Sequence, residues 1–317
     1  MNVIDRVAVC SRSFSKNPIL RAELLKRYSK VTFNDAGLQL KGDTLVNFLT
    51  GHDLAITALE KIDDNLLSQL PQLRAIGKYG VGLDMIDLSA MCKYGKGLGW
   101  IRGVNRRSVS ELTLAFAIAM LRNVMVANRE VVGGTWRQHV GGQLTGRTVG
   151  IIGCGSVGKD LVKLLQPFDC HILAHDVVSY DDFYTLYNIS AVSLEKLLKS
   201  SDIVTLHVPL DDITRGMITS KHLSLMKPSA YLINVARGGL VDEFALKQAL
   251  MDKVIAGAAF DVFNDEPPQD MELIALPNFL ATPHIGGSAE EAIVAMGLAA
   301  IDGLENAIIP SELSQFL

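Results

Sequence analysis

Short apolar runs alternate with amphipathic segments along most of the chain, a pattern typical of parallel α/β proteins. The alternation is most regular after residue 147. The predicted strands are 54–59, 73–77, 148–152, 171–175, 203–208, 231–235, 256–261 and 279–282. The 317 residues are about twice the length of a typical domain, so we expect two α/β domains.

The pattern also predicts two long helices. Residues 109–128 are apolar on almost all sides, which predicts one buried helix. A loop or arm containing Trp136 follows. The last helix is expected to begin at a capping box, in which the side chains of Ser288 and Glu291 each accept a hydrogen bond from the other's backbone.

Composition excludes several classes of protein. Apolar residues make up 49% and charged residues 20%, and the net charge is −4, so nothing favours nucleic acid or an anionic membrane as partner. The four cysteines are widely spaced, which argues against a disulfide framework and a metal site. The start of the chain lacks the pattern of a signal peptide, and the apolar run 112–121 is about half a membrane span. We therefore expect a cytoplasmic protein.

A Gly-x-Gly-x-x-Gly motif follows the predicted strand 148–152 and opens an amphipathic segment. This context is typical of a dinucleotide site, in which the turn and the helix N-terminus receive the pyrophosphate. Asp176 ends the next strand and is expected to accept the ribose hydroxyls; no Lys or Arg lies between Lys163 and Lys196, which favours NAD over NADP. The predicted phosphate-binding residues are Gly153, Gly155, Ser156, Val157 and Gly158.

Three later strands are each followed by a residue suited to hydride-transfer chemistry on a 2-hydroxy acid. Arg237 offers paired donors to a carboxylate and its neighbouring oxygen. His284 exchanges a proton near neutral pH, and a carboxylate such as Glu266 on its other nitrogen favours the imidazolium. Because the carboxyl ends of parallel strands meet at one edge, we expect these side chains to converge.

Four segments together closely resemble the D-isomer-specific 2-hydroxyacid dehydrogenases, in the order and spacing of that family. They are Gly-Cys-Gly-Ser-Val-Gly (153–158), Asn-Val-Ala-Arg-Gly-Gly-Leu-Val-Asp-Glu (234–243), Phe-Asp-Val-Phe-Asn-Asp-Glu-Pro (260–267) and Thr-Pro-His-Ile-Gly-Gly-Ser (282–288). The phosphoglycerate dehydrogenase-like branch is the most similar, on segments 105–112 and 225–228. The resemblance implies an NAD-dependent 2-oxo acid reductase.

The resemblance also implies a fold and a site. A Rossmann NAD-binding domain, 101–287, would be inserted into a smaller flavodoxin-like catalytic domain formed by 1–100 and 288–317. Arg237 would bind the substrate, His284 would be the acid/base, and Glu266 its partner. The backbone of Gly80, Val81 and Gly82 would bind the substrate carboxylate. Further cofactor contacts would come from His207, Pro209, Thr214, Ala236 and Asp261. A homodimer formed through residues 105–142 is implied as well, without a regulatory domain after residue 317.

The substrate stays open at this point. Phosphoglycerate enzymes place an arginine after the strand 54–57, where this chain has Ala58-Leu59-Glu60-Lys61. The nearby cations are Lys61, Lys78, Arg106 and Arg107. A smaller or more apolar 2-oxo acid is equally compatible with the sequence. The alternative function is an NAD-sensing regulatory protein resembling the corepressor branch of the family.

Overall fold

The structure, a computed structural model, describes residues 5–311. The chain divides into two compact units, with the divisions after Asn105 and after Ser288. Unit 1 contains the chain up to Asn105 and the chain from Ala289 onward, and unit 2 is Arg106–Ser288.

Unit 1 is built on a parallel five-stranded sheet. Its strands are β1 (Arg6–Val9), β2 (Lys30–Phe33), β3 (Leu54–Thr57), β4 (Ala75–Lys78) and β5 (Gly97–Gly99). They lie in the order β2-β1-β3-β4-β5, and every neighbouring pair is parallel. This is the strand order of flavodoxin-like sheets.

Two apolar clusters cover the two faces of this sheet. Successive side chains of a strand point to opposite faces, so Ala8 belongs to one cluster and its neighbours Val7 and Val9 to the other. Both faces are therefore buried, as a parallel sheet requires. The helices between the strands are α1 (Arg12–Lys16), α2 (Pro18–Arg27), α3 (Asp43–Leu49), α4 (Asp64–Ser68) and α5 (Leu88–Lys93).

Unit 2 contains a parallel seven-stranded sheet. Its strands are β6 (Thr148–Ile152), β7 (His171–His175), β8 (Ser190–Ala191), β9 (Ile203–Leu206), β10 (Tyr231–Asn234), β11 (Gly257–Phe260) and β12 (Phe279–Ala281). They lie in the order β12-β11-β10-β9-β6-β7-β8. The direction of winding reverses between β6 and β9, which is the topological switch point of a Rossmann-type sheet.

Helices and a short 3₁₀ turn (Gln166–Phe168) connect these strands, and two apolar clusters bury the sheet. The helices are α6 (Arg106–Leu121), α7 (Val124–Val132), α8 (Ser156–Leu165), α9 (Asp181–Leu186), α10 (Leu194–Ser200), α11 (Ser220–Leu225), α12 (Glu243–Met251) and α13 (Met271–Ala275). The predicted α/β class is thus confirmed, with a flavodoxin-like and a Rossmann-type sheet.

The prediction of one buried helix over 109–128 was wrong. The chain forms α6 and α7, bent by 65° at a break where Asn123 has a φ of 55°. Asparagine tolerates this left-handed conformation better than most residues, so the helix ends there. No side chain of α7 is buried, whereas α6 packs into the core. No single helix of the described residues is long and apolar enough to cross a membrane. Taken together, α6 and α7 reach that length and composition only as a bent pair.

The last helix, α14 (Glu290–Glu305), packs on the sheet of unit 1. A side chain on Gly99 of β5 would lie 2.1 Å from the backbone oxygen of Gly303, so glycine at both positions allows this close approach. The predicted capping box was wrong. The N-cap is Ala289, without a side-chain cap, because the backbone N–H of Ser288 donates to Ile285 in the preceding turn and the helix begins one residue later.

The eight predicted strands are all present, and their ends differ from the prediction by no more than two residues. Four short strands were not predicted. They are β1, β2, β5 and β8, of which β5 reads Gly-Leu-Gly and β8 has two residues. Such segments carry too little alternation to be recognised from the sequence.

Candidate functional site

The candidate site lies at the carboxyl edge of the unit 2 sheet, in the loops after β6, β7, β9, β10, β11 and β12. All neighbouring strands of the sheet are parallel, so these loops emerge at the same edge. Among residues 5–311, no group of three or more His, Cys, Asp or Glu side chains has the arrangement of a metal site.

Two glycines at the junction of β6 and α8, Gly153 and Gly158, have no room for a side chain. Gly153 has a φ of 92°, and a Cβ there would lie 2.7 Å from the backbone of His207. A Cβ on Gly158 would lie 2.3 Å from the carbonyl oxygen of Gly153. The N-cap of α8, Gly155, provides no side-chain cap, so the backbone donors of the first turn, at Ser156 and Val157, are left for a ligand. The turn therefore fits a dinucleotide pyrophosphate.

Asp176 follows β7 and is tied to the same turn. Its Oδ2 accepts a hydrogen bond from the backbone N–H of Cys154 at 2.6 Å, and its Oδ1 accepts one from Val178 at 2.9 Å. Each carboxylate oxygen has a second lone pair. The carboxylate is thus held beside the glycine turn with acceptor capacity remaining, as binding of ribose hydroxyls requires.

His207 follows β9 and differs from an ordinary surface histidine. Its Nε2 lies 3.0 Å from the hydroxyl of Thr205, and its backbone N–H donates to Ile152. Burial of the ring lowers the pKa of His207 to about 3, so the ring is neutral near pH 7. This histidine is consequently unsuited to donate a proton in a reaction at neutral pH.

The loop after His207 is closed by Thr214. The Thr214 hydroxyl donates to the carbonyl oxygen of Pro209 at 2.7 Å, and its backbone N–H donates to Asp211. This N–H is the main cause that lowers the pKa of Asp211. The predicted cofactor residues Pro209 and Thr214 therefore belong to one hydrogen-bonded loop.

Arg237 lies on a turn shaped by Asn234. The buried Asn234 side chain donates to the carbonyl oxygen of Arg237 at 2.8 Å and accepts from the N–H of Ala236 at 3.1 Å. A Cβ on Gly238 would lie 1.8 Å from the carbonyl oxygen of Phe263, so glycine lets the two loops touch. The structure thus packs the Arg237 turn against the loop that carries Glu266.

Asp261 follows β11 and is 1% exposed. Its Oδ1 accepts from the N–H of Ile285 and from the hydroxyl of Thr282, and its Oδ2 accepts from the N–H of Gly286. The backbone N–H of His284 also donates to the carbonyl oxygen of Asp261 at 2.9 Å. Asp261 therefore fixes the loop that carries His284. Its implied contact with the nicotinamide stays a prediction.

His284 and Glu266 form a pair. The Nδ1 of His284 lies 2.8 Å from Oε2 of Glu266, whose Oε1 accepts from the N–H of Phe263. The two side chains are 49% and 40% exposed. His284 has a φ of 54°, an uncommon conformation for a residue with a side chain, and the Asp261 contacts hold it there. With Nδ1 occupied by the carboxylate, Nε2 is the nitrogen left to exchange a proton.

In unit 1, the predicted substrate-binding backbone follows β4. Gly80 has a φ of 131°, and the carbonyl oxygen of Val81 accepts a hydrogen bond from Trp100 Nε1 at 2.9 Å. The buried side chain of Lys78 donates to the carbonyl oxygen of Ala58, in the turn where phosphoglycerate enzymes have arginine. Gly82 lies in the same turn as Gly80 and Val81 and is half-buried.

Two other candidate cations for a substrate phosphate are paired within the protein. Lys61 lies 3.2 Å from the carboxylate of Asp63. Arg107 lies 3.0 Å from that of Asp160, within unit 2. A phosphate bound by either cation would share it with its carboxylate partner.

Comparison with known proteins identifies the family. Residues 114–286 match the family described as D-isomer specific 2-hydroxyacid dehydrogenase, NAD binding domain. The chain belongs to this family, and NAD is the cofactor of the matched domain. This confirms the resemblance found in the sequence.

Individual relatives differ in the substrates that their names state. D-3-phosphoglycerate dehydrogenase of Methanocaldococcus jannaschii is 35% identical over 83% of this chain and 50% of its own length. This chain therefore spans about half of that relative. (S)-sulfolactate dehydrogenase of Chromohalobacter salexigens is 34% identical over 90% of this chain and 93% of its own. The solved structure of D-lactate dehydrogenase from Aquifex aeolicus, complexed with NAD and lactic acid, has a TM-score of 0.83 at 26% identity and covers 98% of this chain and 97% of its own.

Sequence reasoning missed the residues that hold the functional side chains. Asn234 shapes the Arg237 turn, and Thr282 contacts Asp261. Both lie within the segments that carry the family resemblance, at positions 234 and 282. Their roles depend on contacts that the sequence does not show. The only signal that could have identified these two residues is their position inside those segments.

Proposed function

We propose that the protein interconverts 2-oxo acids and D-2-hydroxy acids with NAD as the redox partner. The single observation that carries this proposal is the His284–Glu266 pair, 2.8 Å apart, on loops at the carboxyl edge of an NAD-binding sheet. Within unit 2, the Asp261 carboxylate orients the loop that carries His284 by accepting hydrogen bonds from backbone N–H groups of that loop.

The proposed roles follow from the chemistry of each group. When bound, NADH would supply the hydride for reduction at C2 of the substrate, and NAD would accept it in the reverse direction. His284 donates its Nε2 proton to the substrate oxygen during reduction and takes it back during oxidation. Glu266 accepts from Nδ1–H, which fixes the tautomer and stabilises the positive charge of the ring. Arg237 binds the carboxylate and polarises the adjacent carbonyl.

The proposed NAD site combines a phosphate turn, a ribose acceptor and the loops nearer the nicotinamide. Asp176 would receive the ribose, and its carboxylate would repel a 2′-phosphate. The turn and first helical residues would receive the pyrophosphate. The contributing residues are Gly153, Gly155, Ser156, Val157, Gly158, Asp176, His207, Pro209, Thr214, Ala236 and Asp261.

For the substrate we propose a small 2-oxo acid that lacks a phosphate group. We propose that backbone N–H groups of Gly80, Val81 and Gly82 bind its carboxylate. The support is the pairing of Lys61 with Asp63 and of Arg107 with Asp160, which leaves fewer cations for a dianion. We assign 1–100 with 288–317 to substrate binding and 101–287 to NAD.

A homodimer through residues 105–142 is part of the proposal. The side chains of α7 are unburied, and Trp136, beyond it, is 87% exposed. Exposed apolar side chains of this kind suit contact with a second copy of the chain. Light scattering of the purified protein measures the number of subunits directly.

The test is oxidation of NADH with a panel of 2-oxo acids, with NADPH in parallel. The panel contains glyoxylate, hydroxypyruvate, pyruvate, 3-sulfopyruvate and 3-phosphohydroxypyruvate. We expect the highest kcat/KM with NADH and a substrate without phosphate. Preference for 3-phosphohydroxypyruvate would overturn the substrate proposal but not the reaction. Tight NADH binding without turnover of any acid would instead favour the regulatory function.

A further inference from the structure

Lys159 lies directly after the glycine turn, in the first turns of α8, and contacts aromatic rings. Its Nζ lies 3.4 Å from the centre of the Tyr180 ring and 5.5 Å from that of Phe183. It forms no ion pair with any side chain in the part of the chain that the structure describes. An ammonium group over an aromatic face is attracted by the negative potential of the ring.

Tyr180 is itself fixed in place. It is the N-cap residue of α9, and its ring meets the edge of the buried Tyr184 ring, with 6.2 Å between the ring centres and 82° between the planes. The backbone N–H of Tyr184 donates to the carbonyl oxygen of Tyr180 at 2.8 Å. The Lys159 side chain therefore connects α8 to the rigid start of α9.

The segment 176–180 lies between two such attachments. At its first residue, Asp176 accepts from the N–H of Cys154 in the glycine turn. At its last residue, the ring of Tyr180 contacts the Lys159 ammonium group. Between them, Val177 is 98% and Val178 50% exposed, so the middle of the segment gains little from packing.

The charges of Asp176 and Lys159 both act on the glycine turn. The pKa of the Cys154 thiol is raised to about 11, mainly by burial and also by the Asp176 carboxylate, whereas the Lys159 ammonium acts to lower it. Lys159 and Asp176 thus both lie near the side chain of Cys154 in this turn. No local pattern in the sequence predicts the contact of Lys159 with Tyr180, since the two residues are 21 positions apart.

We propose that Lys159 is a positioning residue for the cofactor: its contact with Tyr180 fixes segment 176–180 against α8 and so holds Asp176 in place for the ribose. The inference rests on the proposed NAD site. It adds a determinant of NADH affinity that does not touch the reacting atoms.

The test is titration of the unliganded protein with NADH, followed by fluorescence, in Lys159→Met and Lys159→Arg. Lys163→Met is the matched control, because Lys163 lies one turn further along α8 and is exposed. We expect Lys159→Met to weaken NADH binding about threefold to tenfold, from the usual strength of a cation–π contact. Arginine, which also stacks on aromatic rings, should restore binding, and the control should bind as the wild type does.

A double-mutant cycle with Tyr180→Leu separates this contact from general damage to the fold. If Lys159 acts through Tyr180, the double variant has the same NADH affinity as the single variant that binds NADH more weakly. Additive losses, or a Lys159→Met protein that binds like the Lys163→Met control, would overturn the inference. Failure of the wild type to bind NADH would overturn the NAD site itself, which is a separate result.

Discussion

Two histidine loops at the same edge of the unit 2 sheet have opposite properties. His207, after β9, has its ring beside the Thr205 hydroxyl, and burial lowers its pKa to about 3. His284, after β12, is half exposed and has a carboxylate 2.8 Å from Nδ1. The residue type is the same, but burial without an anionic partner keeps the His207 ring neutral, whereas the His284 ring has a carboxylate as its hydrogen-bond partner.

This difference supports the proposed acid/base role of His284 over one for His207. A group that exchanges a proton with substrate needs access to solvent or ligand and a partner for its charge. His284 meets both conditions, whereas His207, whose ring contacts the Thr205 hydroxyl, has no charged partner among the described residues. The loop contacts that Asp261 and Glu266 make around His284 would belong to the same proposed site.

The largest effect is expected for His284→Ala. Without the proton donor, kcat should fall by about 10²–10⁴-fold, whereas NADH binding should stay close to that of the wild type. Initial rates and an NADH titration measure both quantities. Turnover within a few fold of the wild type would show that another group is the acid.

Glu266→Gln tests the partner of that histidine. The amide keeps the size of the side chain but removes the negative charge that stabilises the imidazolium. We expect kcat to fall by about tenfold to a hundredfold, with little change in NADH affinity. A variant with unchanged kcat at all pH values would contradict a role for the pair.

Asp261→Asn tests the support of the His284 loop. An amide NH₂ would face an N–H donor at one of the positions where a carboxylate oxygen now accepts. We expect the free energy of unfolding to drop by about 1–3 kcal/mol and kcat to fall with it. Thermal unfolding and initial rates of the same sample report the two effects, and equal stability would mean that these contacts contribute little.

His207→Gln should have the smallest effect on turnover, with kcat within about threefold of the wild type, since a neutral ring moves no proton. Its effect on stability depends on pH. The lowered pKa favours the native state above the unfolded value of about 6.5, and this contribution is lost as the pH falls toward 3. The variant should therefore lose stability less steeply over that range, by at most about 1.4 kcal/mol per pH unit. Parallel unfolding curves of the two proteins from pH 7 to pH 4 would contradict the assignment.

The sequence was most informative where chemistry depends on short spacing. The glycine motif and the strand endings before Arg237, Glu266 and His284 were all visible as local patterns. Glycine at 153 and 158 is required by contacts that any dinucleotide turn makes. The motif therefore also predicted the strand and the helix on either side of the turn.

What the sequence did not predict depends on contacts between distant residues. The attachment of Lys159 to Tyr180 joins residues 21 positions apart, and Asp261 contacts Gly286 across 25. The break at Asn123 and the late start of α14 were missed because apolar periodicity and a Ser-x-x-Glu pattern do not record backbone conformation or competing turn contacts.

The most direct test of the account uses the reverse reaction with separated enantiomers. The 2-oxo acid reduced fastest is identified first, leaving out glyoxylate because glycolate has no enantiomers. The purified protein is then given NAD with the D- and the L-form of the corresponding 2-hydroxy acid. The account predicts that NADH forms with the D-isomer and that His284→Ala abolishes this formation. NADH formation from the L-isomer, or equal rates in the His284→Ala variant, would contradict it.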